Sequence, residues 1–208
     1  MDLKKEIFKI FEKKEIFSID KFYLFDDRKK IIVFVPASHL QNLLKEMSKA
    51  GAGNIGNYTM CSFRTEGTGT FKPGSKAKPF SGSKFSLSNE SEFKLEMECC
   101  TGNLNKVINV LLKNHPYEEA VYEIYNFKKR RKPDSGYVIE MKKETYLNQL
   151  GKKLNKKILS DAEKRNLKFR KIAFVKKNID NLILSSAGYT GCDYVLNKFN
   201  NKYKLYKI

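Results

Sequence analysis

The pattern of apolar residues across residues 30–127 constrains the fold of this chain more than any other feature. Residues 30–36 (KIIVFVP) form an unbroken apolar run, which is typical of a strand buried on both faces. In the segment that follows, leucines and Met47 recur at helical spacing as far as Gly51, and glycine commonly ends helices. The sequence therefore predicts a buried strand followed by an amphipathic helix.

Four further segments complete this region, in the order strand, strand, helix and strand: residues 57–63, 93–99, 104–112 and 119–127. A glycine- and serine-rich loop is predicted between the first two of them, as far as about Ser91. Residues 93–99 (FKLEMEC) alternate apolar and polar types, as half-buried antiparallel strands do, and Pro116 stops the helix. The order βαββαβ predicts an α+β fold built on a ferredoxin-like unit.

The flanks of this region are less regular. The N-terminal residues predict one amphipathic helix, residues 2–14, and an extension. Beyond the basic run KKRRK the sequence predicts a partial α/β tail, with helices near residues 143–154 and 179–187 and strands near residues 158, 171–176, 194 and 203. Alone, such a tail would leave strand edges unpaired. Three parts are therefore predicted: 1–29, 30–127 and 128–208.

Net charge is concentrated in the last part of the chain. The formal net charge is +18, and residues 128–208 contribute 22 basic and 7 acidic groups to it. These basic groups suggest nucleic-acid binding through three runs: KKRRK, KLNKK and KRNLKFRK. Arginine makes most bidentate contacts to guanine, and only 6 of the 41 basic residues are arginine. Nucleic acid is therefore a conceivable partner that the composition does not favour.

Several other classes of protein do not fit this composition. No apolar run reaches the roughly 18 residues that span a bilayer, and the N-terminus lacks a signal-peptide pattern. The four cysteines contain no CxxC pair, so neither a zinc site nor a disulfide framework is predicted. We expect no membrane partner and a cytoplasmic location.

One motif resembles a cofactor site but has the wrong context. Residues 51–56 (GAGNIG) match GxGxxG, yet they follow a predicted helix and precede a predicted strand. A dinucleotide fingerprint requires the reverse order, with pyrophosphate at the helix N-terminus. We predict a turn here and no cofactor.

Two segments carry the candidate ligand-binding residues. Residues 65–74 (TEGTGTFKPG) are rich in glycine and hydroxyl groups, and N–H groups in such turns can form an anion-binding nest beside Arg64 or Lys72. A flexible hairpin end is the alternative interpretation. Residues 115–119 (HPYEE) combine a histidine, an aromatic ring and two carboxylates, which suit metal binding, acid–base chemistry or structural capping.

The predicted ligand-binding set combines these two segments: Arg64, Thr65, Glu66, Thr68, Thr70, Lys72, His115, Tyr117, Glu118 and Glu119. Adjacent strand residues face opposite ways, so Glu118 and Glu119 are not expected to share a ligand. The chain has only two histidines, His39 and His115, too few for a dinuclear centre of the usual kind. No catalytic residue and no metal ligand is assigned.

Three motifs of the central region occur in the same order as in a known protein family. GAGNIGNYTMCSF, GTGTFKPG and HPYEE resemble the domain inserted in YqfO-type members of the GTP cyclohydrolase I type 2 homologue family, Nif-three-like dinuclear-metal proteins. That inserted domain is similar to the PII and CutA folds, which tend to trimerise. The resemblance implies a PII/CutA-like domain over residues 30–127. It also implies a homo-oligomer, as a trimer or a multiple of three.

The resemblance continues more faintly into the tail. Residues 135–139, 169–175 and 187–196 resemble, in diverged form, the segments by which the family's chain re-enters its metal-binding core after the inserted domain. The family's metal ligands have no counterpart before Lys30, and no Asp, Glu or His follows Asp193. The resemblance therefore implies a non-enzymatic, oligomerising protein that binds a protein partner or a small anionic ligand at the two loops. A metal-dependent GTP cyclohydrolase I type 2-like hydrolase completed by another chain, and nucleic-acid binding by the tail, stay open as alternatives.

Overall fold

A computed structural model describes residues 3–132, 134–151, 154, 167–200 and 202–208. Its helices are α1 (Leu3–Ile10), α2 (Leu40–Lys49), α3 (Leu104–Asn114), α4 (Leu147–Gly151) and α5 (Asn181–Tyr189). Its strands are β1 (Ile16–Phe22), β2 (Phe25–Pro36), β3 (Phe63–Phe71), β4 (Ser88–Cys100), β5 (Tyr122–Arg130), β6 (Gly136–Tyr146), β7 (Lys168–Val175), β8 (Tyr194–Phe199) and β9 (Lys202–Lys207).

The chain forms two compact units. Residues Asp27–Lys129 form one, the central unit. Met1–Asp26 and Arg130–Ile208 together form the other, the flanking unit. The N-terminal segment and the basic tail, separate parts in the sequence prediction, thus belong to one unit.

The central unit has the predicted ferredoxin-like topology. Its sheet has the strand order β3-β4-β2-β5. Strand β4 pairs antiparallel with β2 from Arg28↔Cys100 to Pro36↔Glu92, and with β3 from Phe63↔Glu96 to Phe71↔Ser88. The long strands β2 and β4 lie in the centre of the sheet, and β3 and β5 form its edges. The α+β fold class predicted from the sequence is confirmed.

One face of this sheet packs on α2 and α3, and the other face is open. Val33, Val35, Leu95 and Met97 are buried in one cluster with apolar residues of both helices. Because side chains alternate along a strand, the intervening residues of β2 and β4 point to the open face. This alternation places Phe34, Glu92 and Lys94 on the open face, where the candidate site lies.

The second strand of the unit was predicted in the wrong place. Residues 57–63 were expected to form it, but β3 begins only at Phe63. Before it lies a turn in which Gly51, Gly53 and Gly56 have positive φ angles of 109°, 68° and 58°. Glycine adopts this conformation at low cost, so GAGNIG forms the predicted turn. The strand therefore begins later in the sequence than predicted.

The first part of the segment predicted as a glycine-rich loop is the strand β3. Its glycines and threonines pair with β4 across nine consecutive registers, from Phe63 to Phe71. An anion-binding nest needs consecutive residues in helical and left-handed conformations, which an extended strand does not provide. Strand β3 therefore supplies no nest, and the part of the predicted loop that connects β3 to β4 is residues 72–87.

The flanking unit contains a mixed sheet of order β1-β6-β7-β8-β9. Strands β7 and β8 are parallel and joined through α5, and the other pairs are antiparallel. The Asp180 side chain accepts a hydrogen bond from Ile183 N–H (2.8 Å) at the start of α5. The strands near residues 171–176, 194 and 203 and the helix near 179–187 were predicted correctly.

Two other sequence predictions need correction in this unit. In the segment where a helix was expected, residues 143–154, β6 continues to Tyr146, and the helix α4 follows at Leu147–Gly151. The N-terminal helix ends at Ile10 instead of Lys14, and a 3-10 turn follows at Lys13–Glu15. The strand expected near Ile158 lies outside the described residues. No helix among the described residues is long and apolar enough to cross a membrane.

Candidate ligand-binding site

The HPYEE turn after α3 is organised by His115. The Nε2 atom of His115 lies 2.8 Å from the carbonyl oxygen of Phe34, and Nδ1 lies 3.1 Å from the backbone nitrogen of Tyr117. A backbone N–H can only donate, so Nδ1 accepts and Nε2 carries the proton that is donated to Phe34. Both ring nitrogens are thus occupied by backbone partners. His115 therefore fixes the turn.

Burial lowers the pKa of His115 below its ordinary value, although the bond to Phe34 opposes this shift. A neutral ring is the form that both hydrogen bonds require. The ring also lies at the edge of Tyr117, with 4.9 Å between the ring centroids. Tyr117 is therefore held through its backbone and its ring.

The hydroxyl of Tyr117 donates a hydrogen bond to Oε1 of Glu92 (2.6 Å). Glu92 lies on β4 and is only 8% exposed. Burial, and the bond to this carboxylate, raise the pKa of Tyr117 well above its usual range. Tyr117 therefore stays protonated at every ordinary pH and remains a donor to Glu92.

Besides His115, aromatic rings from two other segments lie near Tyr117. Phe71, at the end of β3, lies 6.5 Å from Tyr117 between ring centroids. Phe80, in the β3–β4 connection, lies 5.8 Å from it and contacts His39 at 5.4 Å. The connection is also tied to the turn because Lys78 N–H donates to Oε2 of Glu118 (2.8 Å).

These groups enclose a cavity of about 350 Å³, which we call the Tyr117 cavity. Its apolar wall comprises Phe71, Pro73, Ala77, Pro79, Phe80 and Val121. Its polar lining comprises Thr70, Lys72, Lys78, Glu92, Tyr117, Glu118 and Glu119. An apolar wall with a few converging polar groups is the usual make-up of a small-molecule site, and the volume lies within the range of such sites.

A second cavity of about 330 Å³, the Thr65 cavity, adjoins β3. It is lined by Phe34, Thr65, Glu66, Gly67, Thr68, Gly69, Glu92 and Lys94. Glu92 and Gly69 line both cavities. A Cβ atom on Gly69 would lie 2.3 Å from Oε2 of Glu92, so the glycine leaves the space that the carboxylate occupies.

The structure places the residues predicted from sequence in several groups. Five line the Tyr117 cavity: Thr70, Lys72, Tyr117, Glu118 and Glu119. Three line the Thr65 cavity: Thr65, Glu66 and Thr68. His115 positions Tyr117, and Arg64 is exposed on β3 outside both linings. The two sequence segments are thus brought together around Glu92.

The prediction that Glu118 and Glu119 do not share a ligand assumed that both lie on a strand, which they do not. Strand β5 begins at Tyr122, so both glutamates lie in the turn before it, and both line the Tyr117 cavity. Sequence reasoning also missed Glu92 and Phe80. The strand alternation of residues 93–99, extended backwards by one residue, would have placed Glu92 on the open face, but nothing in the sequence indicates its burial.

Within the described residues, no group of three or more His, Cys, Asp or Glu side chains is arranged to hold a metal ion. The cysteines Cys61, Cys99, Cys100 and Cys192 are free. Burial raises the pKa of the Cys99 and Cys192 thiols, so neither is an activated nucleophile.

The basic run at residues 128–132 is largely occupied by intramolecular partners. In the central unit Lys128 pairs with Asp27 at 2.8 Å and Lys129 with Glu98 at 2.5 Å. In the flanking unit Arg131 pairs with Asp26 at 2.7 Å, and the Arg130 guanidinium lies 4.4 Å from the ring centre of Tyr23. The run KLNKK lies mostly outside the described residues.

The fold and the cavity define a class: a ferredoxin-like domain with a ligand-sized cavity where its β3–β4 connection meets the turn before β5. No protein-family model matches the chain. A curated relative, the GTP cyclohydrolase 1 type 2 homolog of Halalkalibacterium halodurans, is 44% identical over 96 residues, 46% of this chain and 26% of that protein. The protein of the same name from Bacillus subtilis is 42% identical over 100 residues, 48% of this chain and 27% of that protein.

These relatives confirm the resemblance that the three motifs predicted. The chain spans about a quarter of the length of the curated relatives it matches. Among solved structures, a Bacillus cereus protein related to NIF3 aligns with 88% of this chain and 50% of its own, at 25% identity and a TM-score of 0.46. CutA from Archaeoglobus fulgidus aligns with 50% of this chain and 88% of its own, at 10% identity and a TM-score of 0.37.

Proposed function

We propose that this chain is a binding protein related to the GTP cyclohydrolase 1 type 2 homologues, which takes a small ligand in the Tyr117 cavity, self-associates, and has no dinuclear metal site of its own. The observation that carries the proposal is the cavity itself. A hydrogen-bonded pair lines it, the buried Glu92 and the partly buried Tyr117, beside aromatic and aliphatic side chains. A polar pair in an otherwise apolar lining fixes the orientation of a ligand, which is the common design of small-molecule sites.

The cavity is tested by filling it. We expect Ala77→Trp to abolish the binding of small aromatic fragments, because an indole would occupy space beside Phe80 and Tyr117. Asn105→Trp, on the exposed surface of α3, is the matched control and should leave binding intact. Fragment binding is measured as amide shift changes in a two-dimensional NMR titration. Fragments that shift amides equally in the wild type and in Ala77→Trp would contradict the proposal.

Self-association is supported by the exposed edge of the central sheet. Strand β3 is an edge strand of nine residues, and apolar side chains near it are exposed, including Tyr58, Met60 and Phe63. A long strand edge beside an apolar patch is suited to a second polypeptide. We propose a homo-oligomer, a trimer or a multiple of three.

The oligomer is tested with Phe63→Glu, because Phe63 is 65% exposed and its replacement should not disturb the core. We expect the solution mass from light scattering to fall towards that of a single chain. Lys106→Glu, on the exposed surface of α3, is the control for the charge change and should keep the mass of the wild type. A wild type that is monomeric at working concentrations would refute self-association.

We prefer the binding role to metal-dependent hydrolysis because ring nitrogens of both histidines, which could otherwise bind a metal, have hydrogen-bond partners. Both nitrogens of His115 have backbone partners, and Nδ1 of His39 lies 2.9 Å from the Ser38 hydroxyl. Purified protein that retains two tightly bound transition-metal ions per chain, and turns over GTP until a chelator is added, would favour the hydrolase completed by another chain.

Nucleic-acid binding has less support than ligand binding. The acidic and aromatic partners of residues 128–131 reduce the number of cations available for phosphate contacts. We further propose a cytoplasmic location, since four free thiols suit a reducing compartment.

A further inference from the structure

We infer that the Tyr117 cavity selects a small organic cation, a protonated amine carried on an apolar body, and that Glu92 is the residue that binds it. This inference rests on the proposed ligand-binding function and adds the chemical class of the ligand. The argument starts from the environment of the Glu92 carboxylate.

Among the described residues, Glu92 has no cationic partner of the kind that Glu96 and Glu98 have on the same strand. Glu96 pairs with Lys30 at 2.6 Å and with Lys94 at 3.0 Å. Glu98 pairs with Arg28 at 3.0 Å and with Lys129 at 2.5 Å. Among the described residues no lysine, arginine or histidine forms an ion pair with Glu92, although the chain contains 41 lysines and arginines and Glu92 is only 8% exposed.

A carboxylate buried to this extent is usually paired, because desolvation of an unpaired charge is costly. The Tyr117 hydroxyl supplies one neutral hydrogen bond to Oε1. An ionised carboxylate can accept about four hydrogen bonds, so most of its accepting capacity remains for a ligand. The group that would complete this site is a cation with N–H donors.

The carboxylate is positioned to meet a molecule in the cavity. It lines both the Tyr117 and the Thr65 cavities, and it occupies the space beside Gly69 that any other residue type would fill with a Cβ atom. Its position is fixed on one side by Gly69 and on the other by Tyr117.

The rest of the lining also favours a cation over an anion. Three carboxylates, Glu92, Glu118 and Glu119, face two lysines, so the lining is net negative within a basic protein. The rings of Phe71, Phe80 and Tyr117 add aromatic faces, which attract ammonium groups. An anion in the cavity would lie beside Glu92, and extended β3 offers no nest to compensate.

The test compares three probes that share one ring and differ in charge: benzylamine, which is protonated at neutral pH, benzyl alcohol and benzoate. Each is titrated into the full chain and followed by amide shifts of Gly69, Phe80 and Tyr117. We expect benzylamine to bind about 10-fold more tightly than benzyl alcohol, as charge-assisted hydrogen bonds do, and benzoate to bind least.

A variant then assigns the selectivity to one residue. Glu92→Gln keeps an oxygen that accepts from Tyr117 but removes the charge, so it should weaken benzylamine about 10-fold and leave benzyl alcohol unchanged. Glu46→Gln removes a partly exposed charge on α2, where Glu46 pairs with Lys49 at 2.6 Å, and should alter neither affinity. If Glu92→Gln does not fold, the ranking of the three probes on the wild type still decides the question.

Two kinds of result would overturn the inference, and only the second would also refute the proposed small-ligand function. Benzoate binding as tightly as benzylamine, or benzylamine binding unchanged by Glu92→Gln, would refute charge selection and leave the cavity as a binding site. Amides of the cavity that respond to none of the three probes would refute the small-ligand function as well.

Discussion

At the scale of single residues, the site depends on a contact between a glycine and a carboxylate. Gly67 and Gly69 are two residues apart on β3, so they lie on the same face of the sheet. A Cβ atom on Gly69 would lie 2.3 Å from Oε2 of Glu92, whereas nothing lies within 4 Å of one on Gly67. The GTG motif thus contains one glycine that the site requires and one that it tolerates.

This difference gives a matched pair of variants. We expect Gly69→Ala to displace the Glu92 carboxylate, break its bond to Tyr117, and cost about 1 kcal/mol of unfolding free energy. Gly67→Ala should change the unfolding free energy by less than about 0.5 kcal/mol. Chemical denaturation measures both, and loss of benzylamine binding in Gly69→Ala alone would tie the glycine to the site. Equal effects of the two variants would contradict the role of Gly69.

The state of His115 predicts a pH dependence of stability. Its pKa in the folded protein is lowered below the ordinary 6.5, so the folded state binds the proton less readily than the unfolded state. Its contribution to stability is therefore complete above about pH 6.5 and is lost as the pH falls through the lowered folded value. The denaturant concentration at the unfolding midpoint should therefore decrease as the pH is lowered from about 8 to about 5.

Replacing the histidine should remove this dependence. His115→Gln keeps a side-chain donor and an acceptor but has no titration in this range, so its midpoint should vary less with pH. His39→Gln, which removes the other histidine, should keep the wild-type dependence. A pH response that is identical in wild type and His115→Gln would refute the assignment.

At the scale of elements, a buried ion cluster joins α1 to the sheet of the flanking unit. Glu6, on α1, is 1% exposed and forms an ion pair with Lys176 at 2.6 Å. It also accepts hydrogen bonds from Lys198 on β8 and from the Tyr203 hydroxyl on β9 (2.7 Å for Tyr203). Burial raises the pKa of Glu6, but these partners outweigh burial and lower it to about 2.

Removal of this carboxylate should leave two lysines without their partner. We expect Glu6→Gln to lower the unfolding free energy of the flanking unit by about 3 kcal/mol, as for other broken buried pairs. The wild-type stabilisation should be complete above pH 4.5 and lost as the pH falls towards 2. Glu12→Gln changes an exposed pair with Lys14 at 3.0 Å and should cost less than about 1 kcal/mol. Equal costs in denaturant would show that the cluster is not stabilising.

The elements that the sequence predicted well are those whose apolar pattern faces the core. Strands β2 and β4 and helices α2 and α3 carry such patterns because their residues share one buried cluster. Strand β3 carries none, since nearly all of its side chains are exposed, and its conformation comes from pairing with β4. A strand defined by its partner cannot be recognised from its own residues.

The site was predictable in part for a related reason. The HPYEE and GTGTF segments are unusual enough to be noticed, and the fold brings them together. Glu92, in contrast, is one of four glutamates at alternate or near-alternate positions of β4, with Glu90, Glu96 and Glu98. Only the three-dimensional pairing shows that two of these four have cations nearby and that Glu92 does not.

At the scale of the whole molecule, the flanking unit is discontinuous in sequence. Strand β1 pairs with β6 from Ile16↔Met141 to Phe22↔Gly136, and more than one hundred residues of the central unit lie between them in the chain. Ile7, Ile10 and Phe11 of the N-terminal segment belong to the same core cluster as Phe169 and Phe174. The N-terminal segment is therefore part of the fold of the tail.

The central unit, in contrast, is continuous and has its own core around α2 and α3. We therefore expect a protein of residues 27–129 to fold alone, with amide shifts that match those of the same residues in the full chain. Deletion of residues 1–22 should remove β1 and α1, and collapse the amide dispersion of strands β6, β7, β8 and β9 while the central unit keeps its native shifts. If the strands of the tail keep their native shifts after the deletion, then β1 and α1 are dispensable to the flanking unit. If a protein of residues 27–129 loses its amide dispersion, then the central unit does not fold without its flanks.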